Sequence, residues 1–338
     1  MKRIGIVGFG AMGHTHFKNF SQINDAKIVA ICDIDAVKLT SKKGIETNIS
    51  SSQNEFDLSG VQIFSNAEKM FKEAELDAVS ITLPTCLHKE YTIKALNAGL
   101  HVLCEKPMSL CSNDCNEMIE VAEKNRKILQ IGHCIRFWPE YAKAKEIIDS
   151  KKYGKLKAAS FHRLSLVPTW AWDNWMLDDE RSGGALVDLH IHDTDFVQYL
   201  FGMPKAVLTN GVKGPSGGYD HVVTNYDYDD QKVVTAEGGW IMTNSFGFKM
   251  FFEIIFERAV LCYDCKKNPT LTIYPDSGEL LNPEIESGNG YFHQCKHFLK
   301  VISGHSVPRI ITPEESLLSL KLIEAEKCSI ESNAKIDL

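Results

Sequence analysis

The chain has no apolar run approaching the length of a membrane-spanning helix, so nothing in it argues for a bilayer span. It has no basic cluster. With 37 Lys and Arg against 44 Asp and Glu the formal net charge is −7, which removes the electrostatic footprint of a nucleic-acid surface. No internal repeat or low-complexity tract interrupts it. The N-terminus runs straight into an apolar strand, which leaves no room for a signal peptide and gives the expectation of a cytoplasmic protein. Cysteine is not scarce, at 10 residues, but it is scattered. Cys32, Cys104 and Cys134 fall in expected strands, so buried reduced thiols are favoured over a disulfide framework. The lone Cys262-x-x-Cys265 has no partner pair, and half a zinc site is not a zinc site.

What is present fits a globular protein. Its 338 residues, 44% hydrophobic and 24% charged, are too many for one ordinary core, and two domains are expected. The most informative stretch is Ile4-Gly5-Ile6-Val7-Gly8-Phe9-Gly10-Ala11-Met12-Gly13, an apolar strand running into Gly-x-Gly-x-x-Gly. Gly8 permits the tight strand-to-helix turn, Gly10 lets the backbone approach a pyrophosphate, and Gly13 lets the helix pack on the strand. The helix N-terminus offers unpaired N–H groups to phosphates. Asp33 follows at the end of a second apolar run, placed to accept hydrogen bonds from both ribose hydroxyls of an adenosine. Its charge would repel a 2′-phosphate, and no Arg stands beside it, so NAD is favoured over NADP.

Through the first third of the chain strands and helices alternate. Strands are expected at residues 4–8, 27–33, 63–64, 78–83, 101–104 and 128–132. Helices are expected at 11–22, 66–75, 88–98 and 113–125, and a polar surface excursion at 47–59. Asn66 caps one helix and Gly99 ends another. This alternation implies a doubly wound parallel sheet. After about residue 135 the pattern changes. Helices at 140–150 and 184–201 flank long period-2 runs at 155–166, 206–212, 221–228, 233–240, 249–256, 260–263 and 271–274, and helices at 291–303 and 313–332 close the chain. That describes a large, mainly antiparallel sheet. One face packs on helices and the other needs a partner, so a homodimer or homotetramer through that face is expected.

Ligands bind at the carboxyl ends of strands in open α/β sheets. Beyond the glycine turn, two such ends are polar: Pro84-Thr85 with His88 one turn on, and Glu105-Lys106-Pro107. Lys106, just past a buried strand, can serve as base toward a hydroxyl or donor to a carbonyl; a plain surface lysine is the competing reading. A second element is Gly183-Gly184 followed by Asp188, His190, His192 and Asp193. On a helix, Asp188 and His192 share a face, and an Asp orienting a His is an acid/base arrangement; helix-terminal acids with a satisfied histidine is the competing reading. Metal binding is set aside because His190 and His192 lie about 200° apart on a helix. His293 and His297 repeat the i,i+4 spacing more weakly. Trp170, Trp172 and Trp175 form either a substrate wall or a loop anchor. Arg136 and Phe137, with His162 and Arg163, are further candidates for facing a substrate.

Taken together, Gly-x-Gly-x-x-Gly-x-x-His from Gly8 to His16, Pro84-Thr85-x-x-His88, Glu105-Lys106-Pro107 and Gly-Gly-x-x-x-Asp-x-x-x-His from Gly183 to His192 resemble the glucose–fructose oxidoreductase / inositol dehydrogenase / rhizopine-catabolism family, Gfo/Idh/MocA. The resemblance covers nearly the whole chain. It implies an α/β fold: an N-terminal Rossmann domain, residues 1–134, and a C-terminal α/β domain, residues 135–338, whose large, mainly antiparallel open sheet makes oligomers. It implies NAD held by Gly8, Gly10, Ala11, Met12, Gly13, Asp33, Pro84, Thr85, His88, Glu105 and Lys106. Catalysis falls to Lys106 with Asp188 and His192, no metal takes part, and Glu105 lies near the nicotinamide ribose. Thr85 stands where family members often carry Asn, a change that keeps hydrogen-bonding capacity. The implied activity is hydride transfer from a secondary alcohol of a sugar or cyclitol. An NAD-dependent glycoside hydrolase and a non-catalytic sensor of dinucleotide or sugar are the other members such a sequence resembles.

Overall fold

The computed structural model describes residues 1–35, 56–276 and 278–338; most of the polar excursion expected at 47–59 lies outside them. Two compact units emerge, Met1–Cys134 with Asn289–Leu317, and Ile135–Gly288 with Leu318–Leu338.

In the first unit β1 (Lys2–Val7), β2 (Ala26–Cys32), β3 (Gln62–Phe64), β4 (Ala78–Ile81), β5 (His101–Cys104) and β6 (Leu129–Ile131) form one sheet in the order β3-β2-β1-β4-β5-β6. Every pairing is parallel. The inner strands are short continuous apolar runs because both faces are covered; all four residues of β4 are buried. The helices are α1 (Ala11–Ser21), α2 (Ala67–Glu73), α3 (His88–Asn97) and α4 (Ser112–Asn125). Asn66 caps α2 through a side-chain bond from the Lys69 N–H, and Gly99 ends α3 at φ 80°.

Assigning everything after residue 134 to a second domain needs correction at residues 289–317, which belong to the first unit. Cys295, Phe298, Leu299 and Ile302 lie on one face of a helix that packs onto Phe17 and Phe20 of α1 and covers one side of the parallel sheet. Without that helix a large apolar surface of the Rossmann sheet faces water.

The second unit carries α5 (Pro139–Ser150), α6 (Ile191–Phe201) and an eight-stranded sheet. Its strands are β7 (Leu156–Leu166), β8 (Ala206–Lys213), β9 (Tyr219–Asp227), β10 (Val233–Met242), β11 (Lys249–Phe256), β12 (Ala259–Asp264), β13 (Leu271–Pro275) and β14 (Ile336–Asp337). The order is β13-β12-β11-β7-β10-β9-β8-β14. Only β7–β10 pairs in parallel. The two-residue β14 follows α8 (Pro313–Ser332), after α7 (Gly290–Ile302), and has no counterpart in the sequence reading because it is too short to carry a period. Strand burial alternates strictly along β11. The inner face brings Phe161, Phe252 and Tyr263 against Tyr141 of α5 and Phe196 of α6, with the Tyr141 ring 4.8–5.3 Å from Phe196, Phe252 and Tyr263. On β8, β9, β10 and β13 the opposite face exposes Leu208, Val212, Val223, Val233 and Tyr274. Among the described residues no helix is long and apolar enough to cross a membrane.

Candidate functional site

The glycine turn between β1 and α1 has the geometry its sequence requires. Gly8 sits at φ 88°, and a Cβ there would lie 2.7 Å from the Thr82 carbonyl oxygen. A Cβ at Gly13 would collide with the Gly8 carbonyl oxygen. Around Gly10 the direction of a Cβ is open, with nothing within 4 Å. Two of the three glycines therefore serve the turn, and the third leaves space beside the helix start. No side chain caps α1, so its first N–H groups keep their capacity to bind an anion. Gly10, Ala11 and Met12 are partly exposed at this corner. Asp33, buried at the end of β2, accepts the Phe9 N–H on Oδ2 at 2.6 Å and the Asp35 N–H on Oδ1 at 2.8 Å. It thus holds the glycine turn as well as standing where a ribose is expected.

The next strand ends form a second corner. Thr82 donates its hydroxyl to the Gly8 carbonyl at 2.6 Å, tying the loop after β4 to the glycine turn. Pro84 is partly exposed. Thr85 is buried, and its Oγ1 finds no hydrogen-bond partner among the described residues. A buried hydroxyl left open, an uncapped helix start and a vacant Cβ direction at Gly10 all fit a dinucleotide as the group this corner receives. His88, expected at the cofactor, is placed otherwise. It is buried, with Nδ1 2.7 Å from the Pro107 carbonyl oxygen and Nε2 2.8 Å from that of Leu83. Burial holds its pKa below the ordinary value against the pull of both carbonyls. Spanning the loops after β4 and β5, it clamps the turn that presents Lys106. Glu105 is buried, while Lys106 is partly exposed. His16, present in the motif with no role assigned, bonds Glu105 Oε1 through Nε2 at 2.8 Å. The signal was a histidine on the glycine-loop helix; its partner 89 residues away was not legible.

In the second unit Gly183 and Gly184 lie at φ 76° and 68°. A Cβ at Gly184 would lie 3.1–3.2 Å from Ser216 Oγ, Asp220 Oδ1 and the Tyr219 carbonyl. The close neighbour Gly184 admits is the chain's own loop, while a Cβ at Gly183 would collide with the Val187 side chain. Asp220, fully buried, accepts the Ser216 hydroxyl at 2.6 Å and the Ser216 N–H at 2.8 Å, and no sequence pattern marked it. The expected single α-helix over 184–201 begins instead with one π turn, Leu186–His190, before α6. Such insertions recur at functional sites. Asp188 lies in the π turn, buried, and His192 in the first turn of α6, half-buried. His190 is fully buried, with Nε2 3.2 Å from Glu326 Oε2 and 3.3 Å from Thr224 Oγ1.

Two expected substrate contacts are spent elsewhere. Arg136 makes a two-pronged ion pair with Asp195 at 2.9 Å on both arms, with Gln198 Oε1 at 3.0 Å. Arg163 does the same with Asp193 at 2.8 and 3.0 Å. Both arginines are buried, so these guanidiniums bind α6 to β7 and to the segment before α5 rather than face a ligand. Trp170 and Trp175 pack against the cluster of Ala171, Met176, Ala185 and Trp240, which is the anchoring role, while Trp172 is 42% exposed. His162 shares Glu237 with His221, at 2.8 and 3.1 Å. Phe137 is buried. Among the described residues no group of three His, Cys, Asp or Glu is placed to hold a metal ion. Cys262 and Cys265 are not bonded to each other, and Cys265 Sγ accepts the Met250 N–H at 3.2 Å. His297 is spent on Gln130 at 3.0 Å and the Pro308 carbonyl at 2.9 Å.

Two family models match the chain. An oxidoreductase family with an NAD-binding Rossmann fold, Gfo/Idh/MocA, covers residues 2–133. The Gfo/Idh/MocA C-terminal domain covers residues 141–262. The myo-inositol 2-dehydrogenase of Thermotoga maritima is 25% identical over 99% of this chain and 98% of its own. The D-glucoside 3-dehydrogenase of Escherichia coli is 26% identical over 99% and 97%. The crystal structure of myo-inositol 2-dehydrogenase from Lactobacillus plantarum matches with a TM-score of 0.79 at 25% identity, covering 100% of this chain and 99% of that one. A parallel sheet in the dinucleotide-binding order, a glycine turn with an open helix start, and family models over both parts of the chain lead to one conclusion: the protein belongs to the Gfo/Idh/MocA family of NAD-binding oxidoreductases.

Proposed function

We propose that the protein is an NAD-dependent dehydrogenase that oxidises a secondary alcohol of a sugar, sugar derivative or cyclitol. The observation that carries this reading is the setting of Lys106. It follows β5 at the carboxyl edge of the parallel sheet, partly exposed, between a buried Glu105 and the Pro107 carbonyl that His88 holds. A cation so fixed can orient a hydroxyl and stabilise the charge that develops as its proton leaves. Similarity along the full chain to a myo-inositol dehydrogenase and a glucoside 3-dehydrogenase supports a polyhydroxylated substrate.

Bound NAD supplies the hydride acceptor. Gly8 would shape the turn, its own N–H being held by the Cys32 carbonyl, while the start of α1 at Gly10, Ala11, Met12 and Gly13 would receive the pyrophosphate, Asp33 the adenosine ribose, and Pro84, Thr85 and Glu105 the other half. Asp33 favours NAD over NADP by charge. His192, with Asp188 to orient it, takes the hydroxyl proton as the carbinol hydrogen leaves with its electron pair, and Lys106 assists at the oxygen. The alcohol thereby becomes a ketone or lactone. The exposed apolar face of the eight-stranded sheet supports a homo-oligomer through that face.

The test is a panel of polyols, cyclitols, aldoses and sugar phosphates with NAD, followed by NADH absorbance. One class should give net NADH. Product release from a glycoside without net NADH would replace the dehydrogenase by a hydrolase that recycles its cofactor. Tight NAD binding without turnover of any member would leave a sensor.

A further inference from the structure

His16 is fully enclosed, on the same helix whose first turn faces the dinucleotide corner. Its Nδ1 lies 2.6 Å from Ser80 Oγ and its Nε2 2.8 Å from Glu105 Oε1. The other oxygen of Glu105 accepts the Lys106 N–H at 3.2 Å. An ionised carboxylate only accepts, so Nε2 carries the hydrogen, and the rotatable Ser80 hydroxyl donates to Nδ1. The chain Ser80–His16–Glu105–Lys106 therefore joins β4, α1 and the loop after β5. Space is reserved for it, since a Cβ at Gly132 would come within 2.8 Å of Glu105 Oε1.

Burial alone would push the Glu105 carboxyl up. Against it act the hydrogen bond from His16 first and then the charge of Lys106, and the group sits below the ordinary carboxylate range. The thiols of Cys104 and Cys295 also feel this carboxylate and offer it no cation. An apolar trio would fill the same space without the desolvation cost. A buried anion here calls for something that responds to charge.

In a sheet ordered β3-β2-β1-β4-β5-β6, a dinucleotide straddles the switch between β1 and β4. With the ribose-binding Asp33 on the β2 side, the nicotinamide belongs on the β4–β5 side, where Glu105 stands. The oxidised nicotinamide ring is cationic and the reduced ring is neutral. An anion at the end of β5 acts on that difference.

We propose that His16 is a positioning residue: it holds Glu105 as an anion, and through it the Lys106 backbone, and so biases the site toward the oxidised cofactor. This rests on the reading of the protein as an NAD-dependent dehydrogenase.

The experiment titrates NAD and NADH separately onto the whole protein by fluorescence, for wild type, Glu105→Gln, His16→Phe, His16→Gln and the double variant His16→Phe/Glu105→Gln. Glu105→Gln should lower Kd(NADH)/Kd(NAD) about ten-fold, the order expected of one charge acting over roughly 10 Å at an effective dielectric of about 20. His16→Phe removes the donor, so Glu105 takes up a proton. The ratio should fall likewise at about pH 6 and return toward wild type by about pH 9. His16→Gln, whose amide N–H reaches toward the same oxygen, should keep the ratio within about two-fold of wild type. The double variant should fall no further than Glu105→Gln alone.

If His16→Phe weakens both forms equally, with a constant ratio at every pH, His16 only packs and the proposal is overturned. An unchanged ratio in Glu105→Gln overturns it as well, and that arm does not depend on the His16 variants folding. Wild-type protein that binds neither form overturns the NAD reading itself, and shows this before any variant is made.

Discussion

The two units bury polar groups for opposite ends. In the first, the buried bonds run outward to strand ends: Ser80 to His16 to Glu105, His88 to the Leu83 and Pro107 carbonyls, Asp33 to the glycine turn. Each finishes at a loop that faces the cofactor corner. In the second unit the strongest bonds close on themselves. Arg136 and Asp195 are both fully buried, with Ser319 and Gln198 completing the set, and Arg163 with Asp193 does the same a short distance along α6. Burial and hydrogen-bond distances are alike in the two cases. What separates a positioning network from a structural one is where the last bond ends. By that measure the arginines of the second unit hold the fold, and the acids and histidines of the first hold the loops at the strand ends.

Lys106→Ala gives the sharpest break in the comparison. Turnover should drop by about 10²–10⁴ with NAD affinity and melting temperature near wild type, as for loss of one acid/base group. Wild-type kcat in that variant would remove Lys106 from the reaction.

Asp195→Ala should do the reverse. Leaving Arg136 buried and unpaired should cost about 3–5 kcal/mol in urea unfolding, while a double change to apolar residues, Arg136→Met with Asp195→Leu, should recover most of it. If Asp195→Ala instead kept full stability and abolished turnover, the pair would belong to the site.

A smaller contrast lies within the glycine turn. Gly13→Ala forces the turn apart and should cost about 1–3 kcal/mol together with NAD binding. Gly10→Ala, with open space at its Cβ direction, should change stability by less than about 0.5 kcal/mol and weaken only NAD. Isothermal titration beside thermal unfolding distinguishes them; equal stability loss in both would mean that Gly10 also serves the turn.

The mildest effect is set by pH in the first unit. His101 is held at a pKa of about 4 against an ordinary 6.5, by burial first and then by the charges of Lys127 and Lys2. Its Nδ1 accepts the Ile128 N–H at 2.9 Å, a bond that protonation at Nδ1 destroys. The unfolded chain takes its proton near 6.5 and the folded chain only near 4. The stability this histidine contributes is therefore complete above pH 6.5 and declines as pH falls toward 4. Urea midpoints across that range should slope less in His101→Asn than in wild type; parallel slopes would assign the loss to other groups.

Much of the first unit was legible because its signals are local. A glycine that needs positive φ, an Asn cap before a helix and an apolar run bounded by turns act over a few residues. The second unit's strands were legible from their period of two. The partners of its arginines were not legible, because direction on a strand is not the same as destination: Arg163 alternates to the inner face, where only the fold supplies Asp193. The π turn at Leu186–His190 was invisible, since its residues fit an α-helix equally well. The helix over 290–302 showed a clear amphipathic face, but nothing local said which sheet that face would cover.

From the sequence alone came the parallel and antiparallel sheets, the glycine turn with Asp33, and the polar strand ends at Thr85 and Lys106, because propensity, period and turn chemistry are set by near neighbours. Only the tertiary structure decided which buried carboxylate meets which donor. It paired His16 with Glu105 across 89 residues and Arg136 with Asp195 across 59. Desolvation makes a buried charge depend on its partner, and a partner that distant is chosen by the packing of whole elements.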